Sequence, residues 1–249
     1  MVKIIVFTFF LLFGYFPIKA QTDVFDALLK TYVDSDGNVD YIGLRKNKSI
    51  LNIYLKYLEN TVPNKKWSPN KSKAFWINVY NAHTIKLIIE SFPLKKITDI
   101  KRKGENAWKI PFVIVGKKKY SLDYVQHIIL RKWYSDSRIH VGINAASKSG
   151  PKFVNFAFTE KNIDSKLEEL MKNFINDPQK NKISFNKVEI SKIFEWYKED
   201  FSSKNSLIDY LNKYSSIKAN DNAQVVYLEY NWLLNEKSNL SFNRANKPR

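Results

Sequence analysis

Apolar residues recur three and four apart over Asp23 to Val33 and over Tyr41 to Leu58, which predicts two helices. Between them lies the turn-forming run Asp34-Ser35-Asp36-Gly37-Asn38. Ser68-Pro69, a hydroxyl cap followed by proline in the first turn, predicts a long helix that runs to about Ser91 and stops before Pro93. Phe112 to Val115 and Lys119-Tyr120 predict a hairpin turning at Gly116. Ser121 then caps a predicted helix through Trp133, with Asp123 near its positive end. Alternation over Arg138 to Ile143 predicts a strand, and Ile163 to Phe174 an amphipathic helix. Lys182 to Ile190 reads as a second hairpin, Ser191 to Phe201 and Ser206 to Tyr214 as two helices, and Val225 to Tyr230 as a late strand. Helices interleaved with few strands define an α+β protein, helix-rich, with a small and mainly antiparallel sheet.

The first twenty residues follow another pattern. Lys3 precedes an unbroken apolar run from Ile4 to Phe16, and Pro17-Ile18-Lys19-Ala20 closes it. A run of that length falls within the roughly 7–15 residues of a signal-peptide core and short of the ~20 needed to span a bilayer. Residues 1–20 therefore read as a signal peptide cut after Ala20, residues 21–238 as one globular domain, and 239–249 as a polar tail. No cysteine follows the apolar core, which excludes a lipidated anchor. Asn78, Asn81, His83, Lys86 and Glu90 interrupt the most apolar later stretch, so no transmembrane segment is expected after cleavage. The expected location is the periplasm or the extracellular space.

Charge adds one expectation about partners. The chain carries a formal +17, or +15 once Lys3 and Lys19 leave, which favours an anionic ligand. The lysines are scattered in small groups and no nucleic-acid reader motif is present, so specific nucleic-acid binding is not expected. A surface protein acting through charge alone would need one contiguous basic face. The sequence is silent on oligomeric state.

Candidate chemistry is concentrated in three places. Asn78, Asn81 and Thr84 share one face of the long helix, where their polar groups either satisfy neighbouring backbone or line a polar site. His127 and Arg131 share a face of the next helix. His140 opens the segment Asn144-Ala145-Ala146-Ser147-Lys148-Ser149-Gly150-Pro151, whose small residues suggest a turn with free N–H groups able to hold an oxyanion. His127, His140 and Ser147 are the candidate catalytic residues; Asn78, Asn81, Arg131 and Asn144 are the candidate ligand contacts. His83 reads as a core residue.

No metal set is apparent from three histidines without cysteine, and no nucleotide loop implies a cofactor. The Asp34 loop resembles the start of a calcium-binding loop, but position twelve would be Arg45 and not the required glutamate. Ser147 and Ser149 lack the Gly-x-Ser-x-Gly elbow of many serine hydrolases.

The order of Phe75-Trp76-Ile77-Asn78-x-Tyr80-Asn81-Ala82, Trp108, Tyr120-Ser121-Leu122 and His127-x-x-Leu130-Arg131 resembles the family called domain of unknown function 547. So do Arg138-Ile139-His140, the Asn144 to Pro151 segment, and Ser191-Lys192-Ile193-Phe194-x-Trp196-Tyr197-x-Glu199-Asp200-Phe201, over about residues 70–201. The resemblance implies relatives exported from bacteria, without an assigned reaction. In the family pattern two cysteines stand where this chain has Ala145 and Gly150. Whether that pair supplies a nucleophile or a disulfide, thiol chemistry is absent here. The reading is an exported cell-envelope binding domain, non-catalytic or catalytically degenerate. The alternative is a thiol-independent hydrolase or transferase with His127 or His140 as general base.

Overall fold

A single long helix organises the protein, and its polar residues decide what packs around it. The computed structural model describes residues 18–203 and 205–237, with side chains from residue 21 onward. The core of the expected signal peptide and the polar tail lie outside the described residues. Helix α4 (Pro69–Ser91) is capped by Ser68, whose hydroxyl accepts from the Lys71 N–H at 3.1 Å. From Lys73 to Ile89 nearly every side chain is buried, so the helix is enclosed on all sides.

Helices α2 (Tyr41–Lys46) and α3 (Lys48–Asn60) pack on α4, and α1 (Ile18–Tyr32) packs on α3, with Phe25 stacked on Tyr54 at a 4.4 Å centroid distance. Asp34 closes the turn after α1 by accepting from the N–H groups of Asp36 and Asn38. Gly37 sits there at φ +78°, and a Cβ would come within 2.6 Å of the Phe153 backbone nitrogen.

Strands β1 (Lys101–Arg102) and β2 (Glu105–Asn106) form a minimal hairpin. Strands β3 (Val113–Val115) and β4 (Lys118–Tyr120) form the expected second one, with Gly116 and Lys117 both at positive φ in its turn. The next segment winds as a π-helix over Tyr124–Arg131 and ends in a turn, α5 (Lys132–Tyr134).

Residues 138–143 are not the expected strand: Ile139–Gly142 form one helical turn, α6. Asn81 donates from Nδ2 to the Gly142 carbonyl at 2.9 Å and accepts the Asn144 N–H at 3.0 Å, taking backbone groups that a ladder would need. Arg138 also ties this turn to its neighbours, pairing with Asp136, Asp164 and Glu168. Burial here covers every residue from Ile139 to Gly142 and does not alternate as the sequence does.

Helix α7 (Ile163–Ile175) leads to β5 (Lys182–Ile183) and β6 (Lys187–Ile190), the third hairpin. The single helix expected over Ser191–Phe201 is two, α8 (Ile193–Trp196) and α9 (Lys198–Ser202), broken at Tyr197. Helix α10 (Leu207–Tyr214) carries a Ser206/Asp209 capping box, and β7 (Gln224–Tyr227) joins β6 in parallel. The protein is α+β in one body, with its other strand pairs antiparallel. Two buried apolar clusters, one around α4 and one around α7 to α10, meet along a seam. Among the described residues no helix is long and apolar enough to cross a membrane.

Asn78 anchors the chain from inside this core: Nδ2 donates to the Phe158 carbonyl at 2.7 Å and Oδ1 accepts the Phe158 N–H at 3.0 Å. Asn78→Ala leaves both backbone groups buried and unpaired. It should lower unfolding free energy by about 2–4 kcal/mol in urea titrations; a loss under 1 kcal/mol would show the anchor to be dispensable.

Candidate functional site

The seam between the two clusters opens into a cavity of about 240 Å³. His127, His140, Ile143, Ala145 and Ile193 line it, together with Asp123, Gln126, Asn106 and six aromatic rings. Its two imidazoles come from adjacent elements, the π-helix and α6, and one carboxylate from a third joins them.

That carboxylate is Asp200 on α9. Arg131 grips it with two bonds, Nε to Oδ2 at 2.6 Å and Nη2 to Oδ1 at 2.9 Å. His140 Nε2 lies 2.7 Å from Oδ2. Burial pushes the Asp200 carboxyl up, but the hydrogen bonds from His140 and Arg131 outweigh it and hold the group well below the usual range. Asp200 is therefore an ionised acceptor, and His140 donates to it from Nε2.

The remaining geometry decides what each imidazole can do. The third Arg131 nitrogen, Nη1, lies 2.9 Å from His127 Nδ1; a guanidinium can only donate, so Nδ1 accepts and the proton sits on Nε2. That Nε2 faces Asp123 Oδ1 at 3.3 Å. Burial pulls the His127 pKa down, Asp123 opposes it, and Arg131 lowers it further. His140 has a side chain only 1% exposed, and its ring stacks on Tyr197 at 4.0 Å. Burial also lowers its pKa, against the pull of Asp200. Its Nδ1 is buried and makes no hydrogen bond.

Gln126 extends the network, accepting from the Tyr80 hydroxyl at 3.4 Å and donating to that of Tyr197 at 2.8 Å. The floor is aromatic: Tyr230 lies 4.4 Å from Trp232 and 4.8 Å from Trp196, and Trp196 is near-parallel to Trp232 at 5.6 Å.

The other candidates from the sequence stand behind this cavity. Asn78, Asn81 and Asn144 use both ends of their amides on backbone: Asn144 donates to the Pro151 carbonyl at 2.5 Å and accepts the Ala146 N–H at 2.6 Å. Thr84 bonds the Tyr80 carbonyl of its own helix. Arg131 is spent on Asp200 and His127. Ser147 pairs with the Tyr230 hydroxyl at 2.7 Å and is absent from the lining.

Five N–H groups of the loop expected to hold an oxyanion are already bonded within the protein. Those of Asn144, Ala146, Lys148, Ser149 and Gly150 donate to Asn81, Asn144, Leu233, Asn231 and Ser147 respectively. His83 is in the core, donating from Nδ1 to the Val79 carbonyl at 2.8 Å and accepting the Ile114 N–H at Nε2. Among the described residues no group of three or more His, Cys, Asp or Glu side chains is placed to hold a metal ion.

Sequence reasoning did not single out Asp123, Gln126, Tyr197 or Asp200 as site residues. Tyr197 and Asp200 lay within the family-like segment around Trp196, and that was their only signal.

Fold and cavity together define an α+β domain with an aromatic-floored pocket at the seam of two cores. Residues 64–175 match the family model described as Protein of unknown function, DUF547, so the chain carries a domain of that family over this span. The match covers His127, Arg131, His140 and Ala145 and stops before Tyr197, Asp200 and the Trp232 floor. No curated protein and no solved structure matches the chain.

The imidazoles set a pH dependence of stability. His83 is fully buried and its pKa is pulled down to about 4, while His127 and His140 shift the same way. The unfolded chain takes up these protons near pH 6.5, so stability is full above that pH and falls as pH drops toward 4. His83 alone contributes on the order of 3 kcal/mol to this loss. Asp136, held at about 2 because bonds from Arg138 and Lys73 outweigh its burial, adds a loss only below about pH 4. Urea midpoints should decline steadily from pH 7 to 4.5; a flat profile over that range would contradict neutral buried imidazoles.

Proposed function

We propose that this protein is an exported cell-envelope protein whose pocket binds a small ligand without transforming it. One observation carries the reading: neither imidazole offers an accessible lone pair. The Nδ1 of His127 is occupied by Arg131, and that of His140 is buried. Both Nε2 atoms carry protons directed at carboxylates, so neither ring is poised as a general base.

Further support comes from the surroundings. The lining holds no Ser, Thr or Cys among the described residues, and alanine stands at position 145. Ala145 is where the family resemblance places its first cysteine. The competing reading, a thiol-independent hydrolase or transferase, draws on the His140–Asp200 bond, which is how a carboxylate orients a base. It requires His140 Nδ1 to be uncovered during a reaction.

Trp108, Trp196 and Trp232 report on the cavity by their fluorescence. A ligand identified by saturable quenching should be recovered unchanged after prolonged incubation with the protein. Turnover that disappears in His140→Gln would overturn the binding reading and establish the catalytic one. Export has its own check: expressed with residues 1–20 in a bacterium, the protein should leave the cytoplasm with Gln21 as its new amino terminus. Retention of Met1 on a cytoplasmic product would overturn that part.

A further inference from the structure

The overall charge predicts an anionic partner, but the pocket presents a different chemistry. Among the described residues no lysine or arginine lines it, and its one carboxylate is Asp123. The nearest guanidinium, that of Arg131, is held by Asp200 and His127. An anion entering this cavity would meet Asp123 with no cation to pair with, at a cost in desolvation.

The shape of the aromatic floor separates the remaining classes. A cage for an organic cation needs rings set apart with a gap between their faces. Here Trp196, Tyr230 and Trp232 touch one another at centroid distances of 4.4 to 5.6 Å, and Trp108 meets Trp232 edge-on at 5.5 Å. Trp196 and Trp232 stack on each other at 22°, with Tyr230 inclined at 52° to both, so the cluster is closed up and what remains for a ligand is an outer indole face. The electron-rich face of an aromatic ring attracts the slightly positive C–H groups of a flat saturated ring laid against it.

On the same lining, Asp123 and His127 supply one acceptor and one donor side by side. Their side chains are 42% and 34% exposed, and their mutual contact of 3.3 Å is longer than the about 2.7–2.9 Å of a strong charge-assisted bond. The pair is thus under-satisfied at the mouth of the cavity. Two neighbouring hydroxyls complete it: one donates to the Asp123 carboxylate and the other accepts from His127 Nε2–H. The volume of about 240 Å³ is below the roughly 300–1,000 Å³ of drug-sized pockets and suits a single ring.

We infer that the pocket takes a neutral, hydroxyl-rich ring, a single sugar unit, laid on the outer face of the stacked Trp196–Trp232 pair with adjacent hydroxyls on Asp123 and His127. This assignment rests on the binding reading above and specifies the ligand class.

The test titrates the protein at pH 7 with glucose, galactose, mannose and N-acetylglucosamine. Glucuronate represents anions, choline represents cations, and adenosine represents planar stacking ligands; tryptophan fluorescence is the readout. At least one neutral sugar should bind saturably and more tightly than the other three. Trp196→Ala and Asp123→Asn should each weaken it about tenfold or more. Trp133→Ala, an exposed indole away from the cavity, should leave it unchanged. Binding without mutants is checked by the His127 ring resonances, which should shift when sugar is added.

Preference for glucuronate, choline or adenosine that is lost in Trp196→Ala would overturn the sugar assignment and leave the binding pocket standing. No neutral sugar binding at millimolar concentration, or sugar binding indifferent to Trp196→Ala, would also overturn it. Cleavage of a glycoside of the bound sugar would uphold the sugar class and overturn the non-catalytic reading.

Discussion

A helix enclosed on every side has to satisfy the polar groups it carries, and α4 does so for four of its side chains by reaching a different segment with each. Asn78 holds the backbone at Phe158, Asn81 holds both ends of the Gly142 to Asn144 bend, and His83 meets the β3 strand at Ile114. The Tyr80 hydroxyl meets Gln126 of the π-helix. Unpaired, these groups would each cost the helix on the order of 1–3 kcal/mol, so the loops they hold are part of the core's own stability. The cavity lies among the segments that α4 positions in this way.

The bend held by Asn81 has the largest consequence. It turns residues 139–142 into a helical step and directs His140 toward α9, where Asp200 waits between it and Arg131. One carboxylate then sets the protonation of two histidines. It accepts the hydrogen bond from His140 Nε2–H directly, and it orients the guanidinium that occupies His127 Nδ1. The arrangement is stable electrostatically because positive Arg131 and negative Asp200 cancel, leaving neutral rings at the buried His140 and the half-buried His127. It also leaves neither imidazole with an exposed lone pair: His127 Nδ1 faces Arg131, and His140 Nδ1 is buried.

Net charge describes the surface of this protein and says little about its pocket. Lysines dominate the exposed face, yet those lining residues that carry formal charge reduce to Asp123, with the nearby ion pair self-compensated. Fields from scattered surface charges are screened within about 8 Å at physiological salt, so the lining decides what enters.

Much of the architecture is legible in the chain itself. The Ser68-Pro69 start and the Pro93 stop of α4, the Gly116 turn, the Ser206 cap and the α+β class all follow from local rules: caps, turn residues and apolar spacing act over a few residues. His127, Arg131 and His140 also stood out as titratable or charged groups in apolar surroundings. The strand pattern over 138–143 misled because alternation reports one buried face, whereas this segment is buried all round and its backbone is claimed by Asn81. Asp200 sits sixty residues from His140 in sequence and 2.7 Å from it in space, and no local pattern couples the two. Local pattern thus reveals most of the elements and the inventory of reactive groups. Which nitrogen of each histidine keeps its lone pair emerges with the packing, because it depends on partners such as Asp200 that are distant in sequence.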